Sequence, residues 1–236
     1  MRPNPQIKSY PSSIFVPKEL VHLHDVDAPR TRELAYKISE QVFENIRLAL
    51  PYVYMTSGIT EALDWVLPRF NVSMRSDDYR YAWLYSHRQN CPPMTYVSYP
   101  FAGNGSFVPI PEDDNVFLDC AYLFASNLQC VRSLPPQVNY AAFSLSKGHN
   151  LASSRIGWLF SKKPLLPQHL AQYDYGYICN RHAIYLEISL GQPLNLLYTL
   201  YKGYLKDLYV KKGLKESDTN LFGLDEQGKR HPWWTL

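Results

Sequence analysis

No stretch of this sequence approaches the roughly 20 consecutive apolar residues that a membrane-spanning helix requires. Its opening residues, MRPNPQIKSYPSS, lack the apolar run of a secretory signal. Both absences predict a cytoplasmic protein that does not engage a membrane. Charge of one sign is missing too: 24 lysines and arginines against 21 aspartates and glutamates leave a net +3. That field permits a nucleic acid or another polyanion as partner but does not call for one. The four cysteines, Cys91, Cys120, Cys130 and Cys179, form no Cys-x-x-Cys pair and have no histidine at a spacing suited to zinc. They predict reduced thiols and no metal site. Internal repeats and low-complexity tracts are also absent.

What is present is apolar and aromatic. Of 236 residues, 46% are hydrophobic and 14% aromatic, enough for one sizeable core, alone or with a small appended subdomain. Residues 1–30 are rich in proline, serine and histidine and read as an extended arm that packs on something else. In DAPRTRELAYKISEQVFENIRLAL, residues Leu34, Ile38, Val42, Phe43, Ile46 and Leu50 recur at helical spacing until Pro51, which predicts one helix. YVYMTSG reads as a buried strand and a small-residue turn, and ITEALDWVLPRF as the helix that follows. Short apolar runs in NVSMRSD, TYVSYP, NVFLDCAY, VNYAAFSLS and RIGWLFSK predict further strands.

Strands alternating with helices, with few Asn-Gly hairpin signals, predict an α/β fold of three layers, α/β/α, with a mainly parallel sheet. From residue 164 the pattern changes to two helices, the second bearing Leu194, Leu197, Tyr198, Tyr201 and Leu205 on one face. The tail FGLDEQGKRHPWWTL ends in two tryptophans and reads as docked. The expected organisation is an arm (1–30), a large α/β domain (31–163) and a reduced helical region (164–236).

In an open α/β sheet, ligands bind beyond the carboxyl ends of the strands. Three polar clusters fall at such places. Thr56, Ser57, Gly58, Ile59 and Thr60 form a hydroxyl-rich turn at a helix N-terminus, where free N–H groups favour an anion. Asp119 follows NVFL, with Tyr122 three residues on, and Ser144, Ser146 and Lys147 follow YAAF. Taken singly, these are an N-cap, a turn residue and a solvated lysine.

Taken in order, TSGITEAL, DCAY and SLSKGHNLASSRIGW resemble the fold-type I pyridoxal phosphate-dependent enzymes of the aminotransferase class I/II superfamily, over about residues 30 to 160. The third motif, with its eight-residue step from lysine to arginine, is the most specific. The resemblance implies pyridoxal 5'-phosphate bound to Lys147 as a Schiff base, with Lys147 then moving protons at the substrate carbon. It implies Asp119 against the pyridinium nitrogen and Tyr122 donating to the ring oxygen. Arg155, Ser144, Ser146 and the Ser57-Gly58-Ile59 turn would hold the phosphate. Tyr79 is the best match for the ring stacked on the cofactor, with Tyr81 and Trp83 as alternatives. A homodimer is implied as well.

Departures from the family pattern bear on the reaction. In SYPFAGNGS, alignment on Pro100 places Ala102 where the family has an asparagine that contacts the ring oxygen, with Asn104 as a shifted substitute. Ser153 replaces the glycine two before the arginine. The domain that supplies the substrate-carboxylate arginine is shortened, leaving Arg181, Lys229 and Arg230 as substitutes. Transamination is the leading expectation. Decarboxylation or lyase chemistry on a bulky substrate, such as an amino-acid-modified nucleobase in phage DNA hypermodification, is the alternative. SKGHNLASSR is also similar to the alliinase and tryptophan aminotransferase group, which keeps carbon–sulfur cleavage open. A non-catalytic binding subunit is the remaining reading.

Overall fold

The computed structural model describes residues 28–128, 133–165 and 177–236. Residues 1–27, most of the expected arm, lie outside the described residues, as do Cys130 and the side chain of Cys179. Cys91 and Cys120 are free thiols.

The helix expected from Asp27 to Leu50 is two: α1 (Ala28–Glu40) and a single turn, α2 (Ile46–Ala49). Between them the N–H groups of Val42 and Phe43 both reach the Ser39 carbonyl, at 3.0 and 2.8 Å. In one continuous helix these two side chains would diverge by about 100°. The break lets both be buried, with Phe43 against Tyr99 and Phe143.

The strands β1 (Tyr52–Thr56), β2 (Asn71–Ser73), β3 (Pro93–Ser98), β4 (Val116–Cys120), β5 (Val138–Ser144) and β6 (Gly157–Ser161) form one sheet in the order β1-β6-β5-β4-β3-β2. The pairs from β2 to β5 are parallel, and β6 runs antiparallel between β5 and β1. The fold is thus α/β with a mostly parallel mixed sheet. β4 and β6 are buried along their whole length, which explains their unbroken apolar sequences. Trp158 of β6 stacks on Phe143 of β5 at 5.6 Å and donates its indole N–H to Ser39 of α1 at 2.9 Å. Helix α3 (Ile59–Val66) packs on β5 and β6, and α1 packs on β1 and on α4 (Tyr177–Leu190).

The two C-terminal helices are α4 and α5 (Leu196–Lys211). Leu194 precedes α5 rather than lying in it, while Leu197 and Leu205 are buried. The region is not purely helical: β7 (Lys215–Glu216), β8 (Phe222–Leu224) and β9 (Arg230–Pro232) form an antiparallel sheet of their own. The tail docks through it, Trp234 lying 6.4 Å from the Phe222 ring. The segment before β8 is tied to the main domain by the Phe107 N–H donating to Asp218 at 2.8 Å and the Asn220 N–H donating to the Ala125 carbonyl at 3.0 Å. No helix among the described residues is long and apolar enough to cross a membrane.

Candidate active site

A cavity of about 250 Å³ opens at the carboxyl ends of β1, β4 and β5. All the residues singled out above as cofactor ligands line it except Ser57. The Ser57 N–H donates instead to the Glu61 carboxylate at 2.5 Å, which closes the first turn of α3 from below.

One end of the cavity is built for an anion. Gly58 caps α3 with φ +108°, a conformation that side chains rarely adopt. A Cβ on Gly58 would stand 3.3 Å from the Arg155 guanidinium, so the arginine lies directly over the turn. A Cβ on Gly157 would stand 2.6 Å from Gly58 Cα, because β1 and β6 close together where Thr56 faces Gly157. Arg155 itself adopts φ +53°, a left-handed backbone that is strained for a non-glycine residue. Ser144 Oγ lies 2.8 Å from Ser146 Oγ and accepts the Ser146 N–H at 3.1 Å. A cation, a helix N-terminus and two hydroxyls therefore converge.

Lys147 is on the wall, open to the cavity mouth. The protein packed around it desolvates the ammonium and lowers its pKa from the ordinary lysine value. Across the cavity Asp119 is buried, accepting the Ala121 N–H at 2.8 Å on Oδ1 and the Tyr96 hydroxyl on Oδ2. Burial raises its pKa to about 6, with the two hydrogen bonds working against that shift. Tyr122 meets the edge of Phe222 at 5.6 Å, and its phenol pKa is raised by burial and opposed by the Arg230 guanidinium beside it.

Of the three candidate stacking rings, Tyr79 lines the cavity. Tyr81 stacks behind it at 6.2 Å and donates to Asp64 at 2.8 Å, and Trp83 does not line the cavity. Of the three candidate carboxylate clamps, Arg230 does not line the cavity but reaches two residues that do, Ala102 and Tyr122. Projecting from β9, it donates to the Ala102 carbonyl and lies 5.2 Å over the Phe222 ring. Arg230 lines an adjoining groove together with Lys229 and Asn104, and Arg181 is on α4. Asn104 turns its Oδ1 to the Ser106 N–H at 3.0 Å.

Sequence reading missed Tyr96, Ser98 and Asp78. Tyr96 and Ser98 alternate on the face of β3 that meets Asp119, with Ser98 in register opposite it. An i, i+2 pair of polar side chains pointing at the Asp119 strand is the one signal that was available.

No family model matches the sequence, and no curated protein matches it. Among solved structures, an aminotransferase from Helicobacter pylori superposes with a TM-score of 0.65 at 12% identity, over 88% of this chain and 74% of that one. A pyridoxal phosphate-bound C-S lyase from Staphylococcus hominis gives 0.62 at 9% identity, over 88% and 72%. The L-threonine-O-3-phosphate decarboxylase from Porphyromonas gingivalis gives 0.57 at 13% identity, over 85% and 76%. The fold is that of the fold-type I pyridoxal phosphate-dependent enzymes.

Proposed function

We propose that the chain binds pyridoxal 5'-phosphate and acts at the α-carbon of an amino-acid-like amine, with transamination as its leading reaction. The observation that carries this reading is the sharing of one cavity by Lys147, buried Asp119 and the Arg155-Gly58 anion cradle. The cradle fits a phosphate because its glycine leaves room for an anion where a side chain would fill the space. When bound, the cofactor supplies an electron sink for breaking a bond at the substrate carbon.

The chain's residues supply the rest. Arg155, Ser144, Ser146 and the first N–H groups of α3 bind the phosphate. Asp119 holds the ring nitrogen, Tyr122 donates to the ring oxygen, and Tyr79 covers one face of the ring. Lys147, with its lowered pKa, is a better nucleophile and proton carrier near neutral pH than a solvated lysine. Arg230 binds the substrate carboxylate from the β9 side. A second reading, decarboxylation or carbon–sulfur cleavage, draws support from the missing side chain at Ala102 and from structural neighbours in those two reaction classes. A homodimer is part of the proposal, and light scattering of the purified chain checks it.

The test is direct. Purified protein with added pyridoxal 5'-phosphate is expected to absorb in the visible, and borohydride reduction is expected to place the label on the peptide carrying Lys147. Label on another lysine, or none, would overturn the reading. Amine screening then separates conversion of the cofactor to its amine form from release of carbon dioxide.

A further inference from the structure

Asp78 immediately precedes Tyr79 and is 4% exposed. Its Oδ1 accepts the Ser98 N–H at 3.2 Å and the Ser98 hydroxyl, and that hydroxyl accepts the Ala102 N–H at 2.7 Å. Its Oδ2 is buried with no hydrogen-bond partner. Ser98 lines the cavity and lies in register with Asp119, so two buried carboxyls flank one serine beneath the cavity. Neither makes a salt bridge among the described residues.

Tyr96, Cys120 and Tyr122, the titratable groups around Asp119, are all pushed toward their neutral forms by burial. Against the burial of Asp78 work the Ser98 hydrogen bonds, the charge of Arg75, whose guanidinium lies 5.2 Å over the Phe101 ring, and the Tyr79 backbone N–H. Burial raises the proton affinity of both acids, and the charge of Asp78 adds to it at Asp119. A helix or sheet needs no such pair, and an unpartnered buried carboxylate oxygen is costly. The arrangement fits a cation arriving from the cavity.

We propose that Asp78 is a second acid of the site's floor, a positioning residue whose charge joins that of Asp119 in favouring a protonated ring nitrogen on bound pyridoxal 5'-phosphate. The proposal rests on the pyridoxal phosphate reading above. Asp78→Asn tests it, because the amide keeps an acceptor for Ser98 and removes the charge. Affinity is measured for pyridoxal 5'-phosphate and for its 1-deaza analogue, which has the same shape and aldehyde but no ring nitrogen.

Asp78→Asn is expected to weaken the natural compound about tenfold, the effect of roughly one unit of proton affinity at the ring, and the analogue less than about twofold. Equal losses for both would overturn the proposal by making Asp78 a support for the Ser98 turn, and no loss for either would overturn it as well. Thermal unfolding checks that the variant folds; where it does not, Asp78→Ser takes its place in the same comparison. Wild-type protein that binds neither compound brings down the cofactor reading and the inference together. Wild-type protein that binds while the variant keeps its preference for the ring nitrogen brings down the inference alone.

Discussion

The two sides of the site are built on different principles. One wall comes from the ends of β1, β4 and β5, where Gly58 and Lys147 follow a strand within a few residues and Asp119 is the last residue but one of β4. The other is β9, outside the cavity lining, whose Arg230 reaches the lining residues Ala102 and Tyr122 from a small sheet at the far end of the chain. Strand-end residues owe their place to local geometry, since a parallel sheet delivers every strand terminus to the same edge. Arg230 owes its place to docking: the Phe222 ring beneath it, the Ala102 carbonyl in front of it and the Asp218 contact that ties the segment down. The first wall carries the proposed chemistry, and the second the proposed recognition of a substrate carboxylate.

Substitutions on the two walls should therefore fail differently. Lys147→Ala is expected to lower kcat by on the order of 10³-fold or more, through loss of both nucleophile and proton carrier, while leaving the thermal midpoint close to wild type. Arg230→Ala is expected to raise KM by about tenfold to a hundredfold, the loss of one charge-assisted contact to a carboxylate, with a smaller change in kcat. Steady-state kinetics with the best amine from the screen separates the two patterns. An Arg230→Ala enzyme with unchanged KM and reduced kcat would move Arg230 out of substrate recognition and into support of Tyr122.

The same contrast explains what could be read in advance. β1, β4, β5 and β6 appear in the sequence as apolar runs, and the lysine-to-arginine spacing places both residues on one edge once the strand before them is recognised. The direction of β6 is not written in its pattern, because GWLFS is buried along its length and would look the same in either sense. The break after α1 was hidden because Val42 and Phe43 satisfy helical spacing as well as they satisfy the turn. β7, β8 and β9 have only two or three residues each, too few for a period-2 signal. Asp78 and Ser98 were invisible for a different reason: a polar residue looks solvated in sequence, and only tertiary packing turns it into a buried partner. Arg230 was named beside Lys229 and Arg181, and position in the fold is what separated them.

The pH dependence of folding bears on how the strand-end wall is stabilised. Asp119 and His149 are both buried and both titrate below neutrality, but in opposite senses. The carboxyl pKa of Asp119 is raised from 3.8 to about 6 by burial. Its contribution to stability is complete below about pH 4 and is lost as pH rises through 6, a change of about 3 kcal/mol. Burial lowers the His149 pKa from 6.5 to about 4, opposed by the Pro193 carbonyl. Its contribution is complete above about pH 6.5 and is lost as pH falls through 4, again about 3 kcal/mol. The two terms offset each other between pH 4 and 6, so neither shows in the wild-type curve. Denaturant unfolding of the cofactor-free protein at pH 4.5 and pH 7 should expose them. Relative to wild type, Asp119→Asn is expected to gain stability at pH 7 and to lose that advantage at pH 4.5, whereas His149→Leu is expected to gain at pH 4.5 relative to its own value at pH 7. Parallel shifts at both pH values would mean that neither group titrates in the folded protein over this range. An advantage for Asp119→Asn confined to neutral pH would mean that Asp119, proposed to hold the ring nitrogen, is kept charged at a cost to the empty fold, a cost that a bound cation would offset.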